Sequence, residues 1–223
     1  MTKAIIFDMY ETLVSANKSK LYFGDHIAKD QKIPEEDFRK IWDATDEART
    51  LGKLTFEEVI HEIMVKNNVY TDKLYDKVCR KRRESKEHAM RFYDKELIPL
   101  FDTLQSLNIK IGLISNCFNE EIVPIRNFVL FQYFDAVSLS NELGLMKPNP
   151  EIYLKTAVAL DARTKDCIYV GDGSGGELQG ALDVGMRPLQ AMWYAKYNKR
   201  RPIEPDPNFK QVTHPMGILN FLA

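Results

Sequence analysis

The sequence predicts an α/β fold, a parallel sheet with helices on both faces, with a separate block of helices inserted after the first strand. Three observations predict it. Short, continuously apolar runs recur along the chain, helical patterns alternate with them from about Leu97 onward, and the stretch from about Ala16 to Ala89 carries helix signals but no convincing strand.

The run Ala4-Ile5-Ile6-Phe7 is apolar at every position, as a strand buried on both faces must be, and Asp8 ends it. In the helical stretch, Pro34 suits the first turn of a helix whose Phe38, Ile41, Trp42 and Thr45 share one side. Thr55 and Glu58 form a capping box, Leu54 can staple onto Val59, and Val59, Ile60, Ile63 and Met64 make the buried stripe. Lys73 to Glu96 holds nine Lys or Arg against five Asp or Glu, including Arg80-Lys81-Arg82-Arg83. With acids interleaved and no aromatic platform, it reads as a solvated helix face rather than an anion-binding patch. Ile98, Phe101, Leu104 and Leu107 then mark a helix, followed by strands over Ile109 to Ile114 and Phe134 to Leu139. Ile152, Thr156, Ala157 and Leu160 mark the next helix, Cys167 to Val170 the next strand, and Glu177 to Val184 a further helix. Pro188 to Trp193 is a weaker fifth strand, and Pro202 to Pro207 a stiff surface loop. The expected division is a core of residues 1–15 and 90–223 and a helical cap of residues 16–89.

Composition narrows the function classes. In 223 residues, 31 Lys plus Arg face 32 Asp plus Glu, so bulk charge recruits neither nucleic acid nor a membrane surface. Three scattered cysteines support neither a disulfide framework nor a zinc knuckle. The first apolar run is too short for a signal peptide, and no stretch approaches the ~20 apolar residues of a membrane span. A cytoplasmic monomer or homodimer acting on a small molecule is the expectation.

Chemistry is expected beyond the carboxyl ends of the strands, where an open parallel sheet binds its ligands. Asp8, Ser115 with Asn116, and Asp172 follow three of the apolar runs, and a parallel sheet can gather them at one point. Two carboxylates brought together call for a cation, and Mg²⁺ with its preference for oxygen ligands is the natural one. Val170-Gly171-Asp172-Gly173-Ser174-Gly175-Gly176-Glu177 is a strand end and a glycine-rich turn leading into a helix, with Glu177 in its first turn. Lys147 precedes Pro148-Asn149-Pro150, a rigid path that can present its charge to an anion or a nucleophile. His26, His61, His88 and His214 show no ligand spacing, and Cys117 reads as a small buried hydrophobe.

The series Asp8-Met9-Tyr10-Glu11-Thr12-Leu13, Ser115-Asn116, Lys147-Pro148 and Gly171-Asp172 with Glu177 resembles the four motifs of the haloacid dehalogenase superfamily, from Ala4 to about Met186. The helical insert after the first motif resembles that of the subfamily with an α-helical cap. The resemblance implies a Rossmann-like core in which Asp8 attacks the substrate and forms a covalent aspartyl intermediate, later released by water. It further implies that Ser115 and the Asn116 N–H hold the transferring group, that Lys147 offsets charge on Asp8 and that group, and that Thr12 braces the loop after Asp8 beside the substrate. Mg²⁺ would take the Asp8 and Asp172 carboxylates and the Tyr10 carbonyl, with Glu177 in the outer shell.

Tyr10 departs from the phosphatase pattern, which usually has a second Asp at that position as general acid and base. A phenol with an unperturbed pKa of about 10 is a poor base near neutrality. Asp-x-Tyr-x-Thr-Leu resembles the dehalogenase branch, whose halide needs no proton; Tyr153 also fits that branch. That branch works without metal and lacks the Gly171-Asp172 pair, and its cap arginine is not found here, since Asp43 follows Trp42. A Mg²⁺-dependent phosphatase acting on a small phosphate ester is the leading expectation. A 2-haloacid dehalogenase and a weakly active phospholigand-binding protein are the alternatives.

Overall fold

The computed structural model describes residues 2–20, 22–199 and 201–222; positions 1, 21, 200 and 223, which the expected domain ranges include, lie outside the described residues. Strands β1 (Ala4–Phe7), β2 (Lys110–Ser115), β3 (Ala136–Leu139), β4 (Cys167–Gly171), β5 (Arg187–Ala191) and β6 (Lys210–Val212) form a six-stranded sheet in the order β3-β2-β1-β4-β5-β6. Every neighbouring pair is parallel. This is the Rossmann-like sheet that the alternation of apolar runs and helices predicts, with its first strand at the centre.

β2 and β4 each end one residue later than the sequence reading places them, at Ser115 and Gly171, and three further strands differ more. β3 starts at Ala136 because Phe131–Tyr133 forms a 3-10 turn and Phe134 packs edge-on against Phe101 and Phe131. β5 stops at Ala191, after which Ala195 N closes a turn onto Met192 O. β6 is not predicted at all, because its three residues, Lys-Gln-Val, include a single apolar one.

Helices α1 (Gly24–Gln31), α2 (Glu35–Trp42), α3 (Asp46–Thr50), α4 (Phe56–Lys66), α5 (Asp72–Ala89) and α6 (Leu97–Ser106) lie between β1 and β2. Helix α7 (Asn119–Arg126) follows β2, α8 (Ser140–Leu143) and α9 (Pro150–Ala159) follow β3, and α10 (Glu177–Asp183) follows β4. Among the described residues, no helix is long and apolar enough to cross a membrane.

The period-two alternation of the strands divides the core between the two faces of the sheet. Ile5, Phe7, Ile111, Leu113, Ile168 and Val170 pack on one face with Leu100, Phe101 and Leu104 of α6 and Ile125 of α7. Ala4, Ile6, Cys167 and Tyr169 pack on the other with Ile152, Tyr153 and Ala157 of α9 and Leu178 and Ala181 of α10. Each fully buried Ile or Phe contributes about 1.5–3 kcal/mol, so both layers are strongly driven to the sheet.

Residues of α1, α2, α4 and α5 form a separate apolar cluster that includes Ile27, Phe38, Trp42, Phe56, Ile60, Ile63 and Val78. The capping box of α4 is formed, with Glu58 N donating to Thr55 Oγ1 at 3.2 Å and Thr55 N donating to Glu58 Oε2 at 2.7 Å. Thr45 is not on the α2 stripe; α2 ends at Trp42 and α3 starts at Asp46, with the Thr45 hydroxyl donating back to Ile41 O.

The solvated-face reading of the basic run is correct for Arg80 and Arg83, which are exposed, but not for two of their neighbours. Arg82 and Lys86, four residues apart on α5, are buried against α7, where Arg82 Nε donates to Glu120 at 2.8 Å and Lys86 Nζ donates to Glu121. Arg82 also donates to Tyr22 O at 2.9 Å. A basic run looks the same in sequence whether its residues meet water or a neighbouring helix.

Burial alone would raise the Glu121 carboxyl, but Lys86 and Arg82 outweigh it and hold it below its ordinary value of 4.5. Its contribution to stability is therefore complete above pH 4.5 and is lost as the pH falls through the lower folded-state value. Lys86→Met leaves that carboxylate without its ammonium and is expected to cost about 3–5 kcal/mol in urea unfolding. Adding Glu121→Gln, which keeps an acceptor for Phe118 N, is expected to restore more than half of the loss. A double variant no more stable than the single one would show that the buried pair is not the source of the effect.

Candidate active site

The sheet register gathers the strand-end residues. Phe7 of β1 lies opposite Leu113 of β2 and Val170 of β4, so Asp8, Ser115 and Asp172 emerge side by side at the carboxyl end of the sheet. Asp8 N extends the ladder by donating to Val170 O at 2.8 Å. Asp8, Ser115, Lys147, Asp172 and Glu177 are all buried.

Lys147 sits among the acids. Its Nζ donates to Asp8 Oδ1, to Glu177 Oε2 at 2.5 Å and to the Tyr169 hydroxyl at 3.0 Å. Its backbone is fixed by the Asn116 side chain, which accepts from Lys147 N at 2.8 Å and donates to Lys147 O at 3.0 Å. Asn149 then caps α9 by accepting from Glu151 N, with Pro150 in the first turn. Asn116 thus spends its side chain on holding the lysine loop.

Glu177 is held from four sides. Oε2 also accepts from Tyr169 Oη at 2.7 Å, Oε1 accepts from Gly173 N at 3.1 Å, and its carbonyl accepts from Tyr153 Oη at 2.9 Å. This explains the glycine before Asp172, since a Cβ on Gly171 would lie 2.1 Å from Glu177 Oε1. The turn that follows needs left-handed backbone at Gly173, Gly175 and Gly176, and Ser174 N donates to Asp172 Oδ1 at 2.8 Å within it.

One oxygen from each of Asp8, Asp172 and Glu177 lies within 4.8 Å of the others. Three carboxylates against one ammonium leave two negative charges, which one divalent cation neutralises. The all-oxygen donor set fits Mg²⁺, the expected cofactor. Without a cation, burial and the neighbouring Glu177 push the Asp8 carboxyl up to about 8, against the opposing pull of Lys147. Burial and Glu177 likewise push Asp172 up to about 7. Burial alone would lower the Lys147 ammonium, but Asp8 and Glu177 outweigh it and keep it protonated.

Tyr10 lies in a tight turn in which Leu13 N and Val14 N both donate to Met9 O. Its hydroxyl is buried, and burial, with Glu121 nearby, raises its pKa well above 10.0. Glu11 adopts left-handed backbone at φ +57, and its carboxylate turns away to accept from Ser15 Oγ at 2.8 Å and Asn17 N at 3.1 Å. Thr12 is fully buried with its hydroxyl unpartnered, and its carbonyl ties down the loop by accepting from Trp193 Nε1 at 2.9 Å. Ser115 Oγ makes only a long 3.5 Å contact with Asn116 O, leaving it free to meet a ligand.

A pocket of 620 Å³ opens onto this centre, lined by Tyr10, Asp172, the Gly173–Gly176 turn, Gln190 and the Pro202 to Phe209 loop. Three residues at or near the site have no place in the sequence reading. Tyr169 is hidden inside an apolar run, where its hydroxyl is the only signal. Gln190 contacts Asp172 from the end of β5. Arg49 is fully buried with its guanidinium 3.8 Å from the Trp42 ring and 4.6 Å from that of Phe118, two residues beyond Asn116.

Polar and charged groups from several βα units, collected at the carboxyl ends of a parallel sheet, define a Rossmann-like α/β enzyme. The chain belongs to the haloacid dehalogenase-like hydrolases, whose family model matches residues 2–185. It is 25% identical over 241 residues to a glyceraldehyde 3-phosphate phosphatase of Methanopyrus kandleri, covering 99% of this chain and 97% of that protein. Its fold matches a 2-haloacid dehalogenase from Pseudomonas syringae with a TM-score of 0.68 at 15% identity, over 100% of this chain and 98% of the other. It also matches a Bacteroides thetaiotaomicron enzyme of the same family, in the wild-type protein's complex with magnesium and inorganic phosphate, with a TM-score of 0.60 at 16% identity over 93% and 98% of the two chains.

A cation binding to Asp8 and Asp172 must displace the protons they carry at lower pH. Mg²⁺ affinity measured by calorimetry is therefore expected to rise between pH 6 and about 8, by up to about tenfold per pH unit for each proton released, and to level off above that. Affinity independent of pH over that range would place the cation away from these two carboxylates.

Proposed function

We propose that the protein is a Mg²⁺-dependent phosphatase that hydrolyses a small phosphate ester through a covalent intermediate on Asp8. The observation that carries the proposal is the gathering of the Asp8, Asp172 and Glu177 carboxylates around the single ammonium of Lys147, too few positive charges for all three to ionise. Such a centre calls for a divalent cation, which a phosphoryl group needs in order to approach a carboxylate and a departing halide does not. The phosphatase relative in Methanopyrus kandleri supports the same choice.

In this reading the Asp8 carboxylate attacks phosphorus, the bond from phosphorus to the leaving oxygen breaks, and that oxygen departs with the electron pair and takes up a proton. A water oxygen then bonds to phosphorus, the Asp8–phosphorus link breaks, and inorganic phosphate leaves. Lys147, bonded to Asp8 Oδ1, orients the nucleophile and offsets charge on the incoming group. Ser115 Oγ and the Asn116 N–H hold the phosphoryl oxygens. Mg²⁺, held by Asp8, Asp172 and the Tyr10 carbonyl with Glu177 behind them, supplies charge neutralisation of the transferring group when bound. Thr12 acts by keeping the loop after Asp8 in place.

Residues 16–89 form the cap in this reading, and their buried ion pairs to α7 seat it beside the Ser115-Asn116 loop. Tyr10, held protonated, can donate a hydrogen bond to the leaving oxygen but is a poor base for the hydrolytic water, so turnover is slow.

Hydrolysis of p-nitrophenyl phosphate is expected with Mg²⁺, to vanish with a chelator, and to vanish in Asp8→Asn. Tyr10→Asp is expected to raise kcat by up to about 10²-fold, toward the range general acid–base assistance supplies. An unchanged or lower rate would show that proton transfer is not what limits Tyr10 enzymes of this geometry. Halide release from 2-chloropropionate in the presence of chelator would favour the dehalogenase reading instead.

A further inference from the structure

Gln190, the fourth residue of β5, stands opposite Gly171 of β4 in the sheet, and its side chain is 3% exposed. Its amide uses both of its donor directions and an acceptor site. Nε2 donates to Asp172 O at 3.1 Å and to Glu204 O at 2.9 Å, while Oε1 accepts from Asp206 N at 2.8 Å. Gly173 lies against the same amide, since a Cβ there would sit 3.2 Å from Nε2. One buried side chain therefore adds a direct link between two backbone segments that the sheet connects only through β5, the turn carrying Asp172 and the loop between Pro202 and Phe209. Both segments wall the 620 Å³ pocket that opens onto Tyr10 and Asp172.

We infer that Gln190 is a positioning residue for the metal site: it fixes the Asp172 carbonyl, and thereby its carboxylate, and couples that ligand to the loop forming the far wall of the pocket. The inference rests on the metal-dependent reading of Asp8 and Asp172. The Asp172 carboxylate accepts from Ser174 N within the turn, and Gln190 at the Asp172 carbonyl and Gly173 N at Glu177 tie that turn to its surroundings. Removing an outer hydrogen-bond partner of this kind typically costs about 10–100-fold in metal affinity. Coupling runs both ways, so Mg²⁺ on Asp172 should in turn steady the 204–206 backbone.

The test uses the full chain and Mg²⁺ as the probe. Gln190→Met keeps the volume and removes all three hydrogen bonds; Gln190→Glu keeps the shape but sets a carboxylate oxygen against two carbonyls. Both are expected to weaken Mg²⁺ binding, read by calorimetry, by about 10–100-fold. The Mg²⁺ concentration giving half-maximal p-nitrophenyl phosphate hydrolysis should rise in parallel, with KM for the ester at saturating Mg²⁺ little changed. In the wild-type chain, Mg²⁺ is expected to slow hydrogen exchange of the Asp206 amide, a readout that stands even where a variant fails to fold. A lowered melting temperature with unchanged Mg²⁺ affinity, or no change in Asp206 exchange on adding Mg²⁺, would overturn the inference. Failure of the wild-type chain to bind Mg²⁺ would instead overturn the metal-dependent reading beneath it.

Discussion

The constraint on which the rest of the structure depends is the crowding of three carboxylates out of water at the carboxyl end of the sheet. An isolated buried carboxylate is costly, and three of them sharing a space under 5 Å across repel one another as well. The surrounding structure is organised to tolerate this. Lys147 is threaded into the cluster on a rigid Pro-Asn-Pro path, Tyr169 donates its hydroxyl to the Glu177 carboxylate while Tyr153 holds the Glu177 backbone carbonyl, and Gly171 gives up its side chain so that Glu177 can come close. Such an arrangement lowers stability relative to an apolar core, and its persistence marks the place where the fold serves chemistry.

The same logic explains why the neighbouring loops are so heavily tied. Asn116 holds the lysine loop by two hydrogen bonds, Trp193 holds Thr12, and Gln190 holds Asp172. Each of these contacts joins two different βα units. The acidic site is thus braced by residues far apart in sequence, and no single loop is responsible for its shape.

Much of this was legible in the sequence, for physical reasons that differ by residue. Asp8, Ser115 and Asp172 are visible because a fully buried parallel strand reads as an unbroken apolar run, so the first polar residue after it marks the end of the sheet. Glu177 is visible through the glycines that must precede it. Tyr169 was not, because a tyrosine within a strand reads as core until its neighbours are known, and what makes it matter is a lysine on another loop. Gln190 was missed for the same reason: it lies inside the run Pro188 to Trp193, read as a weak strand, and what makes it matter is a turn after another strand. Arg82 and Lys86 were read as solvated because helical spacing tells which residues share a side, not what that side meets. β6 is too short and too polar for any periodicity to reveal.

The place of β1 in the sheet has a consequence for how the molecule comes into being. β1 precedes the other strands of this sheet in the chain, yet it is central, and its partners β2 and β4 follow more than 100 and more than 160 residues later. Until then both of its edges are bare and its four apolar residues have nothing to cover them, while the helices that follow already possess an apolar cluster of their own. A chain in this state carries an unpaired strand edge, the feature that makes incompletely folded chains prone to edge-to-edge association.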